Sequence, residues 1–184
     1  MELEPGIDVI RTARLELVPL TTSFRDALLN GDLEAASEEV GAHVGPWLVN
    51  DPSHVTRLHL AQGAFQAAIF PGVGRLIILA TGTGARRVIG SIGFHGPPDD
   101  RERLEVSCRI HPAHRGHGFA IEALGALLEW ATDRFDVQRF VVAIPSGHEG
   151  WDPVPMEIDA DRTEPGDRRT GGLDQLLEGR SGRP

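Results

Sequence analysis

The chain has 184 residues, enough for one domain with a sizeable core, and its 40% apolar and 24% charged content is ordinary for a globular protein. A formal net charge of -9 argues against nonspecific nucleic-acid binding, which relies on Lys and Arg neutralising phosphates, and it fits a cationic or amine partner. The single cysteine, Cys108, excludes an internal disulfide framework and fits a reducing, cytoplasmic setting; the acidic opening has no apolar signal core, and no apolar run approaches the roughly 20 residues of a membrane span.

Residues 1–8 read as a lead-in. Over residues 10–20, Leu15 and Leu17 alternate with Arg14 and Glu16, the mark of a half-buried strand, and Pro19 suggests an edge or a strand end. Thr21 or Thr22 is placed to cap a short helix over residues 24–29. Gly31 breaks it, and Asp32 caps a second short helix to about Val40. Residues 45–50 read as a loop containing Trp47. Asp51-Pro52 then predicts a helix to about Ile69, ended by Phe70-Pro-Gly.

From Arg75 the period changes. Residues 75–80 and 86–94 form a predicted β-hairpin through the Gly-rich turn at 81–85, and a second turn at 95–100 leads into a strand over 103–110. In that strand Leu104, Val106, Cys108 and Ile110 alternate with Arg103, Glu105, Ser107 and Arg109, so three antiparallel strands are expected in a meander. An amphipathic helix follows over about 119–132, with Ala120, Leu124, Leu127, Leu128 and Ala131 on one stripe. Residues 138–144 are a further strand. Residues 145–184 are rich in Gly, Pro, Asp, Glu and Arg, too poor in apolar groups to offset their ordering entropy. Most of that tail is expected to be disordered or loosely attached, with a short helix hinted at 173–177.

The chemistry concentrates in Ile110-His-Pro-Ala-His-Arg-Gly-His-Gly-Phe-Ala120. A strand, then glycines, then a helix start gathers free backbone N–H groups at the positive end of the helix dipole, a place for a phosphate. A pyrophosphate is the expected ligand. A dinucleotide fingerprint is disfavoured by Ile121 in place of the third Gly, and a P-loop by the lack of Gly-Lys-Ser/Thr. His111, His114 and His117 are spaced as metal ligands might be, but Pro112 and the glycines forbid a continuous helix to align them, and no metal is expected. Period two puts Cys108 on the opposite strand face from Glu105, so it reads as a buried or cofactor-lining thiol rather than a nucleophile. Trp47, Phe94 and His95 are candidates for an acceptor pocket, although core packing suits Phe94 and loop anchoring suits Trp47.

Three stretches together resemble a known superfamily: Thr12-Ala-Arg-Leu-Glu-Leu-Val-Pro-Leu20, Val88-Ile-Gly-Ser-Ile-Gly-Phe-His-Gly-Pro-Pro98, and Leu104 through the basic turn to Leu124. They look like the first strand, the third strand with its turn, and the fourth strand with cofactor loop and helix of the GNAT N-acetyltransferases, RimJ/RimL-like branch. The resemblance covers about residues 10–144. It implies an α/β fold with a mixed, mainly antiparallel sheet flanked by helices, and acetyl-CoA as co-substrate. It implies that Arg115, Gly116, His117, Gly118, Phe119 and Ala120 bind the pyrophosphate and that the backbone of Cys108 and Ile110 pairs with the pantetheine arm. It also implies Glu105 as a general base near the acceptor, the alternative being a solvated carboxylate paired with Arg103 or another arginine.

After Ile144 the resemblance lapses. The family's Asn-x-x-Ser and Leu-Gly-Phe stretches are not found, so residues 1–144 are expected to form a partial GNAT domain without its C-terminal strands, and 145–184 a divergent tail. A reading-frame change near Ile144 would account for the abrupt loss of match. The expected activity is acetyl transfer to a primary amine, a small molecule or a protein N-terminus, by direct attack. The rival expectations are an acetyl-CoA-binding pseudoenzyme and a non-catalytic truncated fragment, with sheet surface left bare by missing strands favouring a homodimer.

Overall fold

The computed structural model describes residues 8–50, 74–80, 85–96, 98–144 and 154–159. Among them a seven-stranded sheet runs in sequence order through β1 (Ile10–Arg11), β2 (Leu15–Pro19), β3 (Gly74–Leu79), β4 (Arg87–Phe94), β5 (Arg103–Ile110), β6 (Arg139–Ile144) and β7 (Val154–Asp159). Every neighbouring pair is antiparallel except β5 and β6, which are parallel. The exception follows from connectivity, because a parallel pair needs a crossover and helix α4 (Phe119–Phe135) provides it.

Two apolar layers cover the sheet. On one face α4 buries Phe119, Ala123, Leu124, Leu127, Leu128 and Ala131, which join Leu104, Val106 and Ile110 of β5 in one core. On the other face α1 (Thr22–Leu29) and α2 (Leu33–Val40) bring Phe24, Leu28, Ala36 and Val40 against Leu76, Ile78 and Val88. Local chemistry sets the ends of these helices. The side chains of Thr21 and Asp32 accept from Phe24 N and Ala35 N, so both predicted caps form. At the far end of α2, Gly41 takes the left-handed conformation that stops a helix.

Several expectations change. Residues 45–50 are not simply a loop: Trp47–Asn50 form a short helix, α3, closed by Val49 N and Asn50 N on the Pro46 carbonyl. The tail is not wholly without structure. Val154–Asp159 pairs antiparallel with all of β6 as β7, and Ile158 is buried in the α4-side core. At least one strand beyond Ile144 is therefore present, where none was expected. The main-chain groups of β7 that face β6 are satisfied by this pairing, a gain that average tail composition does not register. The helix expected to about Ile69, the turn at 81–84 and the short helix at 173–177 lie outside the described residues. Among the described residues no helix is long and apolar enough to cross a membrane.

Candidate active site

Strand β5 carries the site. His95 N donates to the Glu105 carbonyl at 2.8 Å, and His111 N donates to the Ile89 carbonyl at 2.8 Å. Odd-numbered residues of β5 therefore bond to β4. By the two-residue period, the N–H and C=O groups of Leu104, Val106, Cys108 and Ile110 point to the other edge. There β6 pairs only with the first half of β5, from Arg103↔Arg139 to Val106↔Val142. Beyond Val106 the strands part, β6 continuing with β7 while β5 continues with β4. Among the described residues the Cys108 main chain and the Ile110 N–H line this opening without a strand partner, and the Ile110 carbonyl accepts from Arg115 Nε at 2.9 Å.

The opening leads straight to the basic turn. Pro112–His114 make one 3-10 turn, Arg115 is extended, and α4 begins after Gly118. Gly116 and Gly118 have φ of 80° and 77°, a region L side chains rarely adopt. No side chain caps α4 at Gly118, so the first-turn N–H groups lack the partner that most helices supply. Arg115, Gly116, His117 and Gly118 are exposed, and Phe119 turns into the core. The His117 ring stacks on Phe119 with centroids 5.6 Å apart, its Nδ1 2.9 Å from the Arg115 carbonyl. Burial, then the neighbouring His111, Arg87 and His117, lower the His114 pKa.

The two faces of β5 separate the remaining candidates. Cys108 points to the α4 side, packed at the border of that core, where burial pushes its thiol up to about 12. At neutral pH it is a neutral thiol, which suits a lining role and not a nucleophile. Glu105 points to the opposite, α1-side face and is exposed. Arg103, one of the arginines expected to pair with Glu105, donates to Asp99 through Nε and Nη2 at 2.9 and 2.7 Å. Of the pocket candidates, Phe94 is buried and stacked on Phe140, a core residue. Trp47 lies on α3 with its ring 5.0 Å from that of His111, at the rim of the turn. His95 is exposed.

Sequence reasoning passed over one polar cluster. Glu122, in the first turn of α4, receives Thr12 Oγ1 at 2.5 Å and Arg14 N at 3.0 Å on one oxygen, and Arg14 Nε and Nη2 at 2.6 Å on the other. Arg14 Nη1 also donates to the His117 carbonyl at 3.0 Å, and the guanidinium lies 4.6 Å over the Phe119 ring. The first-turn position of Glu122 was the available signal; its partners are more than 100 residues away in the chain.

A family model described as an acetyltransferase (GNAT) domain matches residues 14–152. An uncharacterized N-acetyltransferase, YjdG of Bacillus subtilis (strain 168), is 35% identical over 52 residues, 28% of this chain and 31% of that protein's length. The fold is similar to a crystal structure of an acetyltransferase from Agrobacterium tumefaciens str. C58, at TM-score 0.46 and 26% identity over 80% of both chains. It is also similar to RimL, a ribosomal L7/L12 alpha-N-protein acetyltransferase solved with coenzyme A, at TM-score 0.48 and 17% identity over 77% of both chains.

Proposed function

The chain belongs to the GNAT acetyltransferase family, and we propose that it moves an acetyl group from acetyl-CoA to a primary amine by direct attack in a ternary complex. One observation carries this reading: the edge of β5 left unpaired among the described residues runs into an uncapped helix start with two glycines at positive φ. The first feature suits an extended amide-containing arm, which can pair as an added strand through the main chain of Cys108 and Ile110. The second suits a pyrophosphate, held by the N–H groups from Arg115 to Ala120. The two are contiguous, and the pantetheine and pyrophosphate of CoA are contiguous in the same way.

In this reading a β5 N–H polarises the thioester carbonyl, and the amine nitrogen forms a bond to that carbon as the carbon–sulfur bond breaks. Glu105, on the acceptor face, takes the proton from the attacking amine directly or through water. Cys108 takes no covalent part. The acceptor class is a small amine or a protein N-terminus, as in the RimJ/RimL-like branch, and an overall charge of -9 favours a cationic approach.

A second reading, acetyl-CoA binding without transfer, is favoured by one fact: the chain contains no Tyr, the acid often used in this family to protonate the departing thiolate. Calorimetry with acetyl-CoA tests binding. A free-thiol release assay against a panel of amines and N-terminal peptides tests transfer. Binding with no thiol release for any acceptor would favour the second reading.

A further inference from the structure

We infer that Arg14 is a positioning residue for the pyrophosphate-binding turn, neutralising Glu122 and fixing the His117 peptide so that the turn can receive an anion. The inference rests on the reading of that turn as a CoA site.

A carboxylate in the first turn of a helix complements the helix dipole, and it also competes for the amides an anionic ligand would use. Glu122 occupies such a place in α4. It does not fold back on the turn. Among the described residues its four donor contacts all come from the β1–β2 connection, from Thr12 Oγ1, Arg14 N, Arg14 Nε and Arg14 Nη2. The Arg14 fork thus draws the negative charge away from the helix start and offsets it. Burial alone would raise the Glu122 pKa, but the hydrogen bonds from Thr12 and Arg14 outweigh it and hold the carboxyl below its ordinary value.

The third nitrogen acts on the turn itself. Arg14 Nη1 holds the His117 carbonyl at 3.0 Å. In a trans peptide C=O and N–H point in opposite directions, so fixing that carbonyl aims the Gly118 N–H away from Arg14. The φ of 77° at Gly118 then sets the entry into α4. Arg14 is itself rigidly placed: its N–H is on Glu122 and its carbonyl accepts from Ala80 N at 3.0 Å.

The test exploits the opposite signs expected for the two partners of one ion pair. Isothermal titration with acetyl-CoA is run on the full chain and on Arg14→Gln, Glu122→Gln and the double variant, with folding followed by circular dichroism. Arg14→Gln is expected to weaken binding about tenfold, the scale of one lost charge-assisted contact near the surface. Glu122→Gln, which keeps one of the two acceptor oxygens and removes the charge, is expected to bind no more weakly than wild type, and the double variant to recover most of the loss. In turnover, KM for acetyl-CoA rises in Arg14→Gln while kcat at saturation stays within about twofold. Equal weakening by both single changes with no recovery in the double would show a merely structural brace and overturn the inference. Arg14→Lys, which keeps the charge, is expected to stay within about threefold of wild type and covers the case in which Arg14→Gln does not fold; a tenfold loss there overturns the charge argument. A wild-type chain that binds no acetyl-CoA overturns the proposed function and this inference together. Wild-type binding that Arg14→Gln leaves intact overturns this inference alone.

Discussion

The carbonyl oxygen of Arg109 stands 2.2 Å from where a β-carbon on Gly90 would lie. The close approach belongs to the pairing of Gly90 with Ile110, next to a register shift in which β4 gains one residue on β3. Gly90→Ala must therefore displace backbone rather than a side chain. The expected loss of stability is about 1–3 kcal/mol, read from urea unfolding, because overpacking of this kind forces main-chain shifts. A variant as stable as wild type would mean that β4 and β5 are spaced more widely than described.

Glu105 offers the most direct test of mechanism. It is exposed on the α1-side face of β5, and Arg103, one of the arginines expected to pair with it, donates to Asp99. Glu105→Gln is expected to lower kcat by a factor of about 100, within the usual range for a general base. Unaltered turnover would leave the residue a solvated carboxylate and rule out the base role.

Arg75 is a cost that the fold carries. Its Cζ lies 4.4 Å over the Trp130 ring and its Nη1 reaches the Asp8 and Leu17 carbonyls, but among the described residues Nε and Nη2 are buried without a partner. Burial, partly opposed by Asp8, lowers the guanidinium to about 10. For a base with a depressed folded-state pKa, the penalty is complete below that value and fades as pH rises from about 10 toward the ordinary 12.5, where the unfolded chain binds more protons. At neutral pH Arg75→Met is therefore expected to be neutral or to stabilise by about 1 kcal/mol. A melting-temperature loss equivalent to more than about 2 kcal/mol would show that the two carbonyl contacts outweigh the buried charge.

Asp99 gives a pH signature at the β4–β5 turn. Its carboxylate accepts from Arg103 Nε and Nη2, from Arg103 N at 3.0 Å and from Arg101 N at 2.9 Å. The Arg103 side-chain bonds, then its backbone bond, hold the acid down to about 2. A depressed acid stabilises the fold above its unfolded pKa of about 4, and that contribution is lost as pH falls through about 2. In urea titrations the difference between wild type and Asp99→Asn should be constant above pH about 5 and vanish near pH about 2. A difference that persists at the acid end would contradict the assignment.

Much of the framework was legible because its causes are local. Thr21 and Asp32 announce α1 and α2, and alternation along 103–110 gives β5 its two faces. The family pattern likewise located the turn from Arg115 to Ala120, although the role of each residue there stays a proposal. What escaped depends on contacts distant in sequence or on register. Arg75 was read only as the start of an apolar run, yet it is fully buried under α4 through Trp130. Arg14 looked like the polar half of an alternating strand, and its value lies in Glu122, 108 residues away. Strand β7 was hidden by the Gly, Pro and Asp around it, since composition averages over a segment and pairing does not.

The parting of β5 from β6 beyond Val106 has a thermodynamic consequence. A ligand that pairs with Cys108 and Ile110 would occupy an edge left without a strand partner among the described residues, so its binding energy is also folding energy. Acetyl-CoA at about 100 times its Kd should then raise unfolding free energy by about 2.7 kcal/mol. Amide hydrogen exchange at Cys108 and Ile110 should slow together with it. On the proposed reading, acetyl-CoA would thus extend the sheet as well as supply the acetyl group.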